Sequence, residues 1–60
     1  MEFSSYLNKR VQIVLLKGFT YIGVVIDYDD NSLVLIDKNN SRVCLKEKTI
    51  DLIKEVADDI

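Results

Sequence analysis

The chain has 60 residues, 48% of them hydrophobic, with eight Lys and Arg against ten Asp and Glu and a formal net charge of −2. A domain this small buries only about 60% of the surface its unfolded chain exposes, so it ordinarily needs a disulfide, a metal or a second copy for stability. One cysteine, Cys44, and no histidine exclude an internal disulfide and argue against a zinc centre, which leaves oligomerisation as the expected support.

The acidic balance argues against a protein that holds nucleic acid by bulk charge alone. Any such binding must rest on a local cluster of basic residues, on stacking and on hydrogen bonds to base edges. No run reaches the ~18 apolar residues of a membrane span. The opening "MEFSSYLNKR" lacks the apolar centre of a secretory signal. The expectation is one soluble, cytoplasmic domain over residues 1–60, not bound to a membrane, with its thiol reduced.

In chain order, residues 1–9 read as a short N-terminal helical segment, with Ser4 or Ser5 as its cap. Lys9 and Arg10 then open a strand, "VQIVLLK", with Val11, Ile13 and Leu15 on one face. "TYIGVVIDYD" is a long second strand rich in β-branched and aromatic residues. Gly23 lies inside it, where a glycine marks a sharp bend or a close backbone approach. That position suits one strand serving two halves of a curled sheet. "SLVLID" is the third strand, and "KNNS" a turn in which Asn39 and Asn40 suit positive φ. "RVCLKE" is the fourth strand. "TIDLIKEV" fits helix or strand, since Ile50, Ile53 and Val56 share a helical spacing. A fifth strand over Ile50 to Val56 is preferred, because no glycine cap follows. Residues 57–60 read as a frayed tail.

Five short antiparallel strands do not make a two-sheet sandwich. The fold expected is mainly all-β: a short N-terminal helical turn and a strongly bent five-stranded antiparallel sheet forming a small open barrel. Strands four and five would be its edges. An apolar edge is a liability unless covered, and head-to-tail edge pairing that closes makes a ring.

Catalytic chemistry has little support. The chain offers no histidine, no nucleophile paired with a base, no phosphate-binding GK[ST] loop and no metal-ligand cluster. It is expected to be no enzyme and to carry no cofactor. The acids Asp27, Asp29 and Asp30 hint at calcium, but an EF-hand loop begun at Asp27 needs glycine sixth and glutamate twelfth, where Ser32 and Lys38 stand. Solvated turn acids ordering the loop through an Asx-type turn are the plainer reading.

Several spacings agree at once in "NKRVQIVLLKGFTYIGVVIDYDDNSLVLID": a valine-alternating strand, Lys17-Gly18, Gly23 at the GxxxxG spacing, Tyr28-Asp29 and then "LVL". This stretch resembles the first motif of the Sm-like proteins, which include the bacterial Hfq branch. "VCLKEKTIDLI" resembles the second motif, and together the likeness covers roughly residues 6–56. It implies a short helix followed by a bent five-stranded sheet. It also implies homo-oligomeric rings, hexamer or heptamer, closed by pairing the fourth strand with the fifth of the next copy. Such rings bind single-stranded RNA, often U-rich at the pore, as chaperones or scaffolds.

Residue by residue, the resemblance makes Asp29 the aspartate that shapes the loop between strands two and three. Asp30, Asn31 and Ser32 fall where bases are stacked and read. Lys46 and Lys48 fall at the basic positions of the facing loop. Two positions depart from the pattern: Asn31 stands for a stacking aromatic and Glu47 for a glycine. The opposite face of Hfq-type rings, used for A-rich RNA, would correspond to Lys17, Gly18, Phe19 and Tyr21. The plainer alternative has Tyr21 packed and Phe19 covering an edge. A second function class stays open: an assembly or protein-interaction module that keeps the ring without the RNA site.

Overall fold

The computed structural model describes residues 2–57. A 3-10 turn, Phe3–Tyr6, leads into β1 (Arg10–Leu15), β2 (Thr20–Tyr28), β3 (Ser32–Asp37) and β4 (Arg42–Lys46). A second 3-10 turn, Glu47–Thr49, then leads into β5 (Ile50–Glu55). The strands form one antiparallel sheet in the order β4-β3-β2-β1-β5. The sheet is not closed, and β4 and β5 are its two open edges.

β2 holds the sheet together because it serves two partners in succession. Thr20 to Val24 pair with β1, and Gly23 to Tyr28 pair with β3. The two ladders overlap only at Gly23 and Val24. A Cβ on Gly23 would run into the carbonyl oxygen of Ile36 and come within 2.9 Å of both the Ile36 carbonyl carbon and Leu35 Cδ1. Glycine is therefore required by the close approach of β3. Past this point the register shifts between Val25 and Asp27, leaving Ile26 as an extra residue. Such a bulge bends the strand and raises its twist.

Alternation sends Val11, Ile13, Val25, Leu33, Leu35, Leu45 and Ile50 to the inner face, where all are buried. Each such side chain contributes about 1.5–3 kcal/mol when fully buried. Phe3, 2% exposed, joins this core from the first 3-10 turn. Burial of Phe3, not a serine cap, is what holds that turn. Ser4 and Ser5 lie inside it, and Glu2 occupies the cap position with no side-chain hydrogen bond. The N-terminal segment is also shorter than expected: Leu7 already bridges to Val25, and Asn8 has φ 66°.

Four strand ends fall short of the sequence pattern: β1 stops at Leu15 instead of Lys17 and β2 at Tyr28 instead of Asp29, and β4 and β5 also stop early. β4 ends at Lys46, because Glu47 begins the 3-10 turn, in which the Thr49 hydroxyl donates to the Lys46 carbonyl (2.7 Å). β5 ends at Glu55, although the Val56 N–H still donates to the Arg10 carbonyl (3.0 Å). In the β3–β4 turn only Asn40 takes positive φ (63°). The Asp37 carboxylate orders the turn by accepting from the N–H groups of Asn39 (2.8 Å) and Ser41 (2.9 Å). Of the tail read as frayed, residues 58–60 lie outside the described residues.

Candidate functional site

The loop between β2 and β3 is built around one carboxylate. Asp29 accepts hydrogen bonds from the Asn31 N–H (2.8 Å) and the Ser32 hydroxyl (3.0 Å), while its own N–H donates to the Ser32 carbonyl (2.9 Å). This is an Asx-type turn, the arrangement that makes aspartate common in tight loops. The Asn31 N–H, chiefly, and then the Ser32 hydroxyl hold the Asp29 carboxyl below the usual aspartate range. Asp30 points no polar atom into this network and is exposed.

The same loop is tied to the connection between β4 and β5. Ser32 pairs with Lys46 in the β3–β4 register, and the Glu47 N–H donates to the Asn31 carbonyl (2.8 Å). Asn31, Lys46, Glu47 and Lys48 therefore line one open concavity of about 380 Å³. Of the five loop residues singled out from sequence, Asn31, Lys46 and Lys48 converge here. Ser32 is spent on Asp29, and Asp30 stands outside the lining. Glu47, half-buried, adds a carboxylate to the wall. Chemically, the concavity offers two ammonium groups, one acid and one amide. That set suits hydrogen bonding and charge pairing with a polar anionic ligand, and it contains no nucleophile–base pair.

The β1–β2 hairpin presents the other candidate residues differently. Gly18 takes φ 96° at its tip, with open space around it. Phe19 is 65% exposed, whereas Tyr21 is half-buried and packs against the core. Lys17 does not stand apart from the first concavity. The Leu16 N–H donates to the Thr49 carbonyl (2.9 Å), and a largely apolar groove lined by Leu15, Leu16, Lys17, Lys48 and Thr49 results. Lys48 thus belongs to both hollows. This link rests on the 3-10 turn Glu47–Thr49, which has no hydrophobic periodicity to reveal it. Tyr28, at the end of β2 and 40% exposed, is the aromatic nearest the Asp29 loop in sequence, and it lines neither hollow.

Among the described residues no group of three or more His, Cys, Asp or Glu is arranged to hold a metal ion, and no helix is long and apolar enough to cross a membrane. No protein-family model, no curated protein and no solved structure matches the chain.

Proposed function

We propose that the chain is a non-catalytic, ring-forming protein of the Sm-like kind that binds short single-stranded RNA through its β2–β3 loop and β4–β5 connection. The observation that carries this reading is the convergence of Asn31, Lys46 and Lys48 on one concavity, from two loops joined by the Glu47-to-Asn31 hydrogen bond. Asp29 shapes the loop, as the resemblance implies. The open edges support the ring. Val43 on β4 and Ile53 on β5 are half-buried apolar residues of the inner face. Pairing β4 with β5 of a second copy would continue the core across the junction and satisfy both ladders' free backbone groups. Repetition of one modest pocket around a ring raises avidity without new contacts. The tip of the β1–β2 hairpin, with Lys17, Gly18 and the exposed ring of Phe19, offers a further RNA contact that adjoins the loop concavity through Lys48, whereas Tyr21 is packed on the core.

One observation favours a second reading, an assembly or protein-interaction module without RNA. The loop Asp29–Asn31 has no aromatic, and Glu47 places a carboxylate in the concavity wall. Fluorescence anisotropy with oligouridine and oligoadenine at moderate salt separates the two. Binding by the assembled protein supports the RNA reading, and absence of binding to either oligonucleotide leaves the second. Light scattering tests the ring: a stable monomer at micromolar concentration would sink it.

A further inference from the structure

The outward face of the sheet is not that of an ordinary single-layer protein. Phe3 and its 3-10 turn cover the inner face, and among the described residues no helix or strand lies over the outer one. A sheet face left to water ordinarily carries polar residues. Here the registers place Leu52, Val14 and Thr20 side by side in one outward row, and Lys54, Gln12 and Ile22 in the next. Arg10, Val24, Ile36 and Arg42 make the third. An apolar stripe therefore runs from Leu52 through Val14, Ile22 and Val24 to Ile36. It is open at its Leu52 end and at its middle, where Leu52 is 45% and Ile22 47% exposed; Val14, Val24 and Ile36 are half-buried.

Cations flank this stripe on both sides. Lys54 and Arg10 lie toward the β5 edge, and Arg42 lies toward the β4 edge. Lys38 joins Arg10, Val24 and Ile36 in lining a shallow groove, whose wall also holds Asp37. The three rows hold no acid, in a chain whose net charge is −2. Asp27 lies farther along, opposite Val34, and the Asp37 carboxylate is directed to the turn N–H groups.

We propose that this face docks an acidic, amphipathic polypeptide segment, its apolar side chains along the stripe and its carboxylates on Lys54, Arg42 and Lys38. Charge complementarity selects this occupant. A second copy meeting the face with its own would set cation against cation, which costs specificity and affinity. Single-stranded RNA would find no aromatic ring in these rows to stack on. A lipid surface would find neither Trp nor Tyr at the rim to anchor it. Edge pairing uses the margins of the sheet and leaves this face open, so the proposal holds whether or not the loop concavity binds RNA.

The test is a titration of the isotope-labelled full chain with a short peptide alternating Leu and Glu, followed by amide shifts. Parallel titrations use the same peptide with Lys for Glu, oligouridine, oligoadenine and anionic phospholipid vesicles. Shifts at Ile22, Val24, Ile36 and Lys54 with the acidic peptide alone are expected. The double variant Lys54→Glu, Arg42→Glu should weaken that binding by about tenfold or more. The exposed single variant Ile22→Ser should weaken it too while leaving the thermal midpoint in place. Failure of the acidic peptide to bind, shifts confined to residues 29–31 and 46–48, or equal binding of the Lys peptide overturns the proposal. So does stronger binding of an oligonucleotide or vesicle at these amides, or a fall in assembled mass on Ile22→Ser, which would make a second copy the occupant.

Discussion

Replacing Gly23 by alanine tests the claim that one close approach organises the sheet. The added methyl would meet the Ile36 carbonyl oxygen, with the Ile36 carbonyl carbon and Leu35 Cδ1 each at 2.9 Å. Ordinary carbon contacts lie near 3.5–4.0 Å, so β3 must retreat by roughly half an ångström or more. Leu35 is fully buried and has nowhere to move, and the Ile36 carbonyl is part of the β2–β3 ladder. Overpacking of this kind costs about 1–3 kcal/mol, and each weakened ladder hydrogen bond about 1 kcal/mol. The smaller backbone entropy of alanine returns about 0.5–1 kcal/mol. With one ladder bond weakened, the net expectation is a loss of about 1–3.5 kcal/mol, a substantial part of the roughly 3–9 kcal/mol that 60 residues ordinarily hold. Thermal unfolding at fixed protein concentration should show a midpoint about 5–25 °C lower. Gly18→Ala is the internal control. Its φ of 96° is unfavourable for alanine, but nothing lies within 4 Å of the new methyl, so only conformational strain is added. A Gly23→Ala midpoint equal to or above that of Gly18→Ala would show that the approach of β3 does not require glycine at this position.

Asp29 gives a pH dependence whose sign follows from its lowered pKa. The loop's stabilisation is complete above the ordinary aspartate value of about 3.9 and is lost as pH falls through the lower folded value. The Asn31 amide shift should follow that transition, and Asp29→Asn should abolish it. At Asn40, φ 63° makes Asn40→Gly nearly neutral, whereas Asn40→Val should cost about 1–2 kcal/mol in urea unfolding. The Lys9–Glu55 ion pair spans 3.5 Å with both side chains at least half exposed, so Lys9→Ala should change stability by no more than about 0.5 kcal/mol. Charge reversal at Lys46 and Lys48 together should remove oligonucleotide binding and leave the thermal midpoint unchanged, as expected of two exposed side chains; retained affinity would place RNA elsewhere.

The strands were legible wherever a run of β-branched residues stood between turn formers. "SLVLID" matches β3 residue for residue, and the strand choice for "TIDLIKEV" holds from Ile50 to Glu55. The fourth and fifth strands, expected as the edges of an open sheet, are its edges. Local hydrogen bonding and anchoring were not legible. Serine looks like a cap in any sequence, but here the first turn is set by Phe3, whose burial depends on strands far along the chain. The halt of β4 at Lys46 depends on Thr49 reaching back to a carbonyl, and Ile26 gives no sign of being the extra residue of a bulge.

The shape of the β2–β3 loop was legible for a different reason. Asp29, two residues before Asn31 and three before Ser32, satisfies its carboxylate within the loop; the acids of this stretch implied an Asx-type turn, and the resemblance to the Sm-like motif singled out Asp29. What spacing does not give is the partner across the sheet. Asn31 reaches Glu47 through a backbone bond between residues 16 positions apart, and only the β3–β4 register makes them neighbours. The outward stripe fails to show for the complementary reason. In "SLVLID" both faces are apolar, so alternation marks a strand without saying which residues face the core. Leu33 and Leu35 are fully buried, whereas Val34 and Ile36 belong to the outward face. A hydrophobic count reads all four as core. Once the register divides them, Val34 and Ile36 fall on the outward face, and the cations flanking Ile36 are what the docking proposal rests on.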